Sequence, residues 1–204
     1  MFFSWDDSRR AFADGTDWFL RTAALVGNRW DKPGLGEWDI RALVGHTSRS
    51  LLTVETYLAR PATAVDIPSA SEYFRATRAA ARGPAVTARG RDAGTALGDD
   101  PAAAVAQIAA RVLPLVENED GTKVVTTIAG GMRLADYLPT RTFELAVHTA
   151  DLASALGAPL EVPATAGAQA LDLVTDLAVA DGLAGPLLLA ATGRPGLSPG
   201  FSVL

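Results

Sequence analysis

The stretch "RTFELAVHTADLASALG", residues 141 to 157, places charged side chains in an otherwise apolar helical segment. Residues three and four apart share one face of an α-helix. Five polar residues therefore form a continuous stripe: Tyr137, Arg141, Glu144, His148 and Asp151. A neighbouring stripe is apolar and is predicted to face the core: Leu134, Leu138, Leu145 and Leu152. A carboxylate at the edge of an apolar face is costly unless it binds a metal ion or an arginine.

The second histidine of the chain lies on another apolar helical segment. The chain has two histidines, and His46 follows Leu43 by three positions, which places it on the buried side of its helix. Two imidazoles and one carboxylate, from His46, His148 and Glu144, are a common ligand set for a catalytic divalent metal, usually zinc. The alternative is a pair of core histidines satisfied by hydrogen bonds, with Glu144 paired to Arg141 on the same face.

Composition and charge exclude several classes of function. The 204 residues are 49% hydrophobic and 20% charged, which is typical of one globular domain. A net charge of -5 argues against binding to nucleic acid and to anionic membranes, both of which require a basic surface. With no cysteine, the chain has no disulfide, thiolate metal site or cysteine nucleophile. The N-terminus lacks a signal pattern and "PLLLAA" is too short to span a bilayer, so the sequence predicts a cytoplasmic protein.

Hydrophobic periodicity predicts an all-α protein. Helices are expected at 5–26, after an N-cap at Asp39, at 69–81, from Pro101, from Arg133 or Pro139 to Leu156 with a stop at Gly157, and at 165–180. Tryptophans and phenylalanines of the first helix are predicted to pack in the core. "RGPAVTARGRDAG", residues 82–94, is predicted to be a loop. "KVVTTI", residues 123–128, is predicted to be a short extended connection with no sheet around it.

Two segments carry a resemblance to a known family. "EWDIRALVGHTSRSLLTVETYL" (37–58) has Trp38 eight residues before His46, and "LADYLPTRTFELAVHTADLASALG" (134–157) has the Tyr-Leu, Arg, Glu-x-x-x-His-x-x-Asp-Leu pattern. These segments resemble the hallmarks of the mycothiol-dependent maleylpyruvate isomerase family, a branch of the DinB/YfiT-like metalloenzymes. The resemblance implies a DinB/YfiT-like four-helix bundle, here with an extra short C-terminal helix, and the metal ligands His46, Glu144 and His148.

The resemblance also implies a reaction. A divalent metal, most simply Zn2+, would activate mycothiol as a thiolate for addition to a small electrophile, in an isomerase or an S-transferase. Asp151 would hold the second nitrogen of His148, unless it is a solvated or capping carboxylate. Arg141 would orient Glu144 or a substrate carboxylate, unless it has a structural partner. The alternative from another class is a non-catalytic metal-binding bundle that acts as a sensor or interaction module.

Three arginines recur along the third predicted helix and its end. Arg75, Arg78 and Arg82 follow one another at helical spacing and form a basic face that could steer an anionic thiol or acid to the site. The alternative is a solvated helix face.

Residues 1–190 are expected to form the metal-binding bundle and residues 191–204 a short tail, without the further C-terminal domain that full-length isomerases of the family carry. The sequence indicates nothing about the oligomeric state or the identity of the electrophile.

Overall fold

A computed structural model describes residues 3–79 and 84–204 and confirms the all-α prediction. Eight helices are present in these ranges: α1 Trp5–Ala24, α2 Ile40–Leu58, α3 Ala70–Thr77, α4 Pro84–Ala96, α5 Pro101–Glu117, α6 Leu134–Leu156, α7 Ala164–Ala180 and α8 Ala184–Ala191. The same ranges contain four short strands: β1 Pro33–Leu35, β2 Trp38–Asp39, β3 Val124–Thr127 and β4 Gly130–Arg133. None of the helices described is long and apolar enough to cross a bilayer.

Four of the helices form the bundle that the resemblance implies. Helices α1 and α2 each pack against both α5 and α6, so the four surround one core. The side chains of this core are fully buried. They include Phe12, Phe19, Leu43, Leu51, Val112 and Leu138, with Leu134, Leu145 and Leu152 on the apolar stripe of α6. Helix α7 packs on α1 and α6, and the short α8 follows α7.

The ends of α2 and α6 depend on local capping interactions. Asp39 is the N-cap of α2, as predicted, and its carboxylate accepts a hydrogen bond of 2.7 Å from the Ala42 amide. Helix α6 begins directly after Arg133, so Pro139 lies inside the helix instead of starting it. It ends at Gly157, which adopts the left-handed conformation (φ 66°) favoured by glycine. Helix α6 therefore carries the whole polar stripe on one rigid element.

The predicted loop at 82–94 is wrong, because most of it is helix α4. Gly90 and Gly94, two of the glycines that suggested a loop, are contact points with other elements. A Cβ on Gly45 of α2 would lie 2.2 Å from the Gly94 backbone nitrogen, and a Cβ on Gly90 would lie 2.4 Å from the Trp38 ring. Tertiary packing therefore overrides the low helix propensity of glycine. The predicted third helix is also shorter than 69–81: α3 ends at Thr77, and residues 80 and 81 lie outside the described ranges.

The prediction that no sheet forms is also wrong, because two small antiparallel hairpins are present, β1 with β2 and β3 with β4. Strand β3 lies within the extended run that the sequence indicated. Its partner β4 begins with Gly130 and Gly131 and lacks β-branched residues, so it gave no strand signal. Gly131 is required by packing, since a Cβ there would lie 2.0 Å from the Ala64 carbonyl oxygen.

Candidate metal centre

His46, Glu144 and His148 meet between α2 and α6. The two helices run antiparallel in this region, because His46 lies beside His148 while Thr53, further along α2, lies beside Tyr137 near the start of α6. One ligand atom from each of the three residues lies within 4.8 Å of the other two. The Nε2 atom of His148 is 3.2 Å from Glu144 Oε2, and the two imidazole centroids are 4.9 Å apart. The structure thus brings together the three residues that the sequence singled out.

The Asp151 carboxylate contacts the His148 ring nitrogen that does not face Glu144. Its Oδ2 atom lies 3.1 Å from His148 Nδ1, while His148 Nε2 faces Glu144. A carboxylate on Nδ1 fixes the tautomer and orientation of an imidazole and leaves Nε2 to act as a ligand. The contact is compatible with the supporting role of Asp151, which stays a prediction.

Burial and neighbouring charges shift the pKa values of the three groups in different directions. Burial lowers the pKa of His46 to about 4, so its imidazole is neutral at pH 7. Burial opposes ionisation of Glu144 and His148 as well, but charged partners outweigh it. His148 and Arg141 favour the Glu144 carboxylate, and Asp151 and Glu144 favour the His148 imidazolium. The pKa of Glu144 is held well below its ordinary value, and that of His148 is raised to about 9. The metal-free site therefore holds one proton on His148 at neutral pH.

The residues present fit a divalent metal ion. Two imidazole nitrogens and a carboxylate oxygen are zinc ligands, and ligand atoms on a tetrahedral zinc lie about 3.4 Å apart. The separation of 3.2 Å between Glu144 and His148 is close to this distance, and all three ligand atoms lie within 4.8 Å of one another. In addition, the buried Nδ1 atom of His46 has no hydrogen-bond partner in the part of the chain described. An imidazole that protein groups leave partly unsatisfied is expected of a ligand more than of a core histidine.

A large cavity opens beside the three ligand residues. Its volume is about 690 Å3, within the range of small-molecule binding sites. The candidate ligands His46, Glu144 and His148 all lie in its wall. The remaining wall is rich in aromatic residues and arginines, among them Trp38, Tyr57, Tyr73, Phe74, Phe143, Arg49, Arg78 and Arg141. Ser202 and Leu204 also line it, and Val203 between them is buried, so the end of the described chain forms part of the wall.

Arg141 does not make the ion pair with Glu144 that was considered as an alternative. No carboxylate of the described residues lies within 4 Å of its guanidinium group, and Glu144 contacts His148 instead. The Arg141 guanidinium lies over the rings of Tyr73 and Tyr137, at 5.4 and 5.1 Å from their centroids. Its Nε donates a hydrogen bond of 2.9 Å to the Thr140 hydroxyl. The arginine is thus buried in the cavity wall, close to the candidate ligands.

The predicted basic face on the third helical segment is divided by the structure. Arg75 contacts Glu72 and Asp181, at 2.8 and 3.5 Å, and does not lie in the cavity wall. Arg78 lies in the wall and donates hydrogen bonds to the Asp181 carboxylate and to the Val203 carbonyl. Arg82 lies outside the described residues. Binding of a thiol by these arginines stays a prediction, and Arg78 is the described member that faces the cavity.

Several residues of the cavity wall were not predicted from the sequence. Arg49, Ser50 and Thr53 follow His46 at three, four and seven positions, so helical spacing alone could have placed them on its face. Tyr73 and Phe74 are different, because they come from α3 and reach the cavity only through the packing of α3 on α6. No local signal in the sequence could have assigned them to the site.

Comparison with known families gives one match. The family described as mycothiol maleylpyruvate isomerase N-terminal domain matches residues 12–153, which is more than half of the chain and includes all three candidate ligands. No curated protein and no solved structure gives a match.

Proposed function

Because the chain belongs to the mycothiol maleylpyruvate isomerase N-terminal domain family, we propose that it is a divalent-metal-dependent enzyme acting on a small electrophile with mycothiol as cosubstrate. The reaction would be an isomerisation or an S-transfer, according to whether the thiol is released or retained. The observation that carries the proposal is the position of the three candidate ligands in the wall of one cavity.

Each residue of the candidate site has its own proposed role in this reaction. His46, Glu144 and His148 would hold the ion, which we propose is Zn2+. Bound there, a divalent cation favours the deprotonated form of a thiol, and a thiolate is a strong nucleophile at neutral pH. Asp151 would keep His148 oriented through its Nδ1 atom. With three protein ligands and no cysteine in the chain, a fourth position remains for an external sulfur.

The cavity supports an enzyme over a purely structural metal site. Structural zinc sites are closed by four protein ligands, whereas catalytic sites keep three and an open position. The described residues offer three, and the adjoining volume of about 690 Å3 has room for a thiol and an acceptor. A non-catalytic metal module remains the alternative that the experiment must distinguish.

Metal analysis followed by thiol titration tests the proposal. The purified protein should contain one divalent ion per chain. After replacement of that ion by Co2+, addition of mycothiol should produce an intense sulfur-to-metal charge-transfer band. A thiol of similar size without the sugar groups should bind more weakly. No spectral change at saturating thiol would remove the thiol-dependent function and leave the non-catalytic metal module.

The variant His148→Ala is the matching control. Loss of the His148 imidazole should abolish metal binding, because the two remaining ligands hold an ion poorly. The helical signal in circular dichroism should be retained. Full metal content in this variant would make His148 a packing residue and would contradict the proposed ligand set.

A further inference from the structure

We propose that Arg141 and Arg49 form a subsite for the carboxylate of an organic acid with an apolar body. The subsite lies in the same cavity as the candidate metal ligands, one helical turn along α2 and α6. As a site for the electrophile it rests on the proposed function, but carboxylate binding itself requires neither the metal nor the thiol.

Arg141 is a buried cation that makes no contact ion pair with a described carboxylate, although the charge of Glu144, which contacts His148, acts on it from a greater distance. The residue is 8% exposed, and no carboxylate of the described residues lies within 4 Å of it. Its neighbours are the rings of Tyr73 and Tyr137 and the hydroxyl of Thr140. Burying an unpaired charge is costly, and the cost falls when a counter-ion arrives with good hydrogen-bond geometry. An anionic ligand in the cavity would supply that counter-ion.

The guanidinium is held ready for such a ligand. Its Nε donates a hydrogen bond to Thr140 Oγ1, and its Cζ lies over the Tyr73 and Tyr137 rings, so contacts on several sides limit the movement of the group. The terminal Nη atoms have no protein acceptor among the described residues, and the residue lies in the cavity wall. A carboxylate matches this fork with two parallel charge-assisted hydrogen bonds.

Arg49 adds a second positive charge to the same part of the wall. It lies three residues after His46 on α2, as Arg141 lies three residues before Glu144 on α6. Three residues of helix correspond to about 4.5 Å along the axis. No carboxylate of the described residues pairs with Arg49, and the one acidic side chain in the wall, Glu144, is engaged by His148. The positive charge therefore favours a monoanion one turn away from the candidate ligands.

The rest of the cavity indicates an apolar body for this acid. Besides the arginines, the wall contains several aromatic rings, including Tyr57, Phe74 and Phe143. At the rim, large apolar side chains are left exposed to solvent: Leu35, Ile128 and Val147, at 38, 68 and 37%. Exposed apolar side chains gathered around one opening mark a surface that a ligand can cover. An aryl or alkyl carboxylate would use both the charged and the apolar parts.

Calorimetric titration with 2-naphthoate and its amide tests the subsite. Both compounds have the same apolar body, and only the acid carries a charge. We expect the acid to bind metal-free and Zn2+-loaded protein, without thiol, at least tenfold more tightly than the amide. Arg141→Met should remove at least tenfold of the affinity for the acid and leave that for the amide within about twofold. Arg194→Met, an exposed arginine outside the cavity wall, is the control and should change neither.

Two further variants protect the test against misfolding of Arg141→Met. Arg141→Lys keeps the positive charge but lacks the paired N–H donors of a guanidinium, so it should bind the acid with intermediate affinity. Arg49→Met should weaken binding of the acid and leave binding of the amide unchanged. Equal affinity of wild-type protein for acid and amide, or an unchanged acid affinity in both methionine variants, would overturn the subsite. These outcomes are independent of the cobalt and thiol band, so the proposed function and this subsite can fail separately.

Discussion

The indole ring of Trp38 lies on the imidazole of His46, with ring centroids 4.5 Å apart and planes inclined by 34°. The indole Nε1 donates a hydrogen bond of 3.0 Å to the Thr87 carbonyl of α4, and Gly90 leaves space for the ring. His46 Nδ1, by contrast, has no hydrogen-bond partner among the described residues. Packing against Trp38 therefore orients the His46 ring, whereas the contact with Asp151 orients the His148 ring.

From this contact we predict that Trp38→Leu weakens metal binding by about tenfold, the lower range for losing a group that orients a ligand. Competition with a chelating dye measures the affinity. Trp5→Leu is the control, because the Trp5 indole also donates to a backbone carbonyl, that of Glu119, but lies away from the site. If the two variants bind metal equally well, packing of Trp38 does not orient His46.

Asp151→Asn should weaken metal binding by about tenfold or more, because the amide keeps the shape of the side chain but removes the charge behind His148. Asp136→Asn serves as the control. It removes a carboxylate from the same helix, where Asp136 pairs with Arg133 at 2.8 Å outside the cavity. An Asp151→Asn protein with wild-type affinity would support the alternative that Asp151 is a solvated carboxylate.

Metal uptake should release one proton at pH 7. His46, with its pKa lowered to about 4, is already neutral, whereas His148, with its pKa raised to about 9, must lose a proton before Nε2 can bind an ion. The apparent affinity should therefore rise with pH, by about tenfold per unit up to roughly pH 9. Calorimetry in two buffers of different ionisation enthalpy counts the proton. A heat that does not depend on the buffer would mean that His148 is neutral in the metal-free protein.

Gly45→Ala should destabilise the fold, by about 2 kcal/mol, because overpacked contacts cost in this range. The added Cβ would meet the backbone of α4 at Ala93 and Gly94, which cannot rotate away. Gly15→Ala is the matched change in α1, where the nearest atom would be the Ala166 Cβ at an ordinary 3.6 Å. There the better helix propensity of alanine should stabilise by about 0.5 to 1 kcal/mol. Urea denaturation compares them, and equal effects would show that α2 and α4 separate at no cost.

The sequence by itself determined the helices of the bundle and the three residues of the candidate site. Helical periodicity is a local property, so the spacing of Glu144, His148 and Asp151 fixed a shared face before any tertiary contact was known. The same holds for His46 on the buried face of α2, and for Gly157 as the end of α6. The family resemblance then joined two segments about a hundred residues apart.

Tertiary structure decided the features that depend on which elements meet. Helix α4 exists despite its glycines because Gly90 and Gly94 are the points where it contacts Trp38 and α2. In the part of the chain that the structure describes, Arg141 has no carboxylate within 4 Å because Glu144 contacts His148, and local spacing could not distinguish this contact from an Arg141 to Glu144 pair. The cavity is likewise a product of packing, since α3 and the C-terminal segment contribute Tyr73 and Ser202 from distant parts of the chain. These features depend on burial and not on sequence spacing, because only the packed structure determines which charged groups lose contact with water.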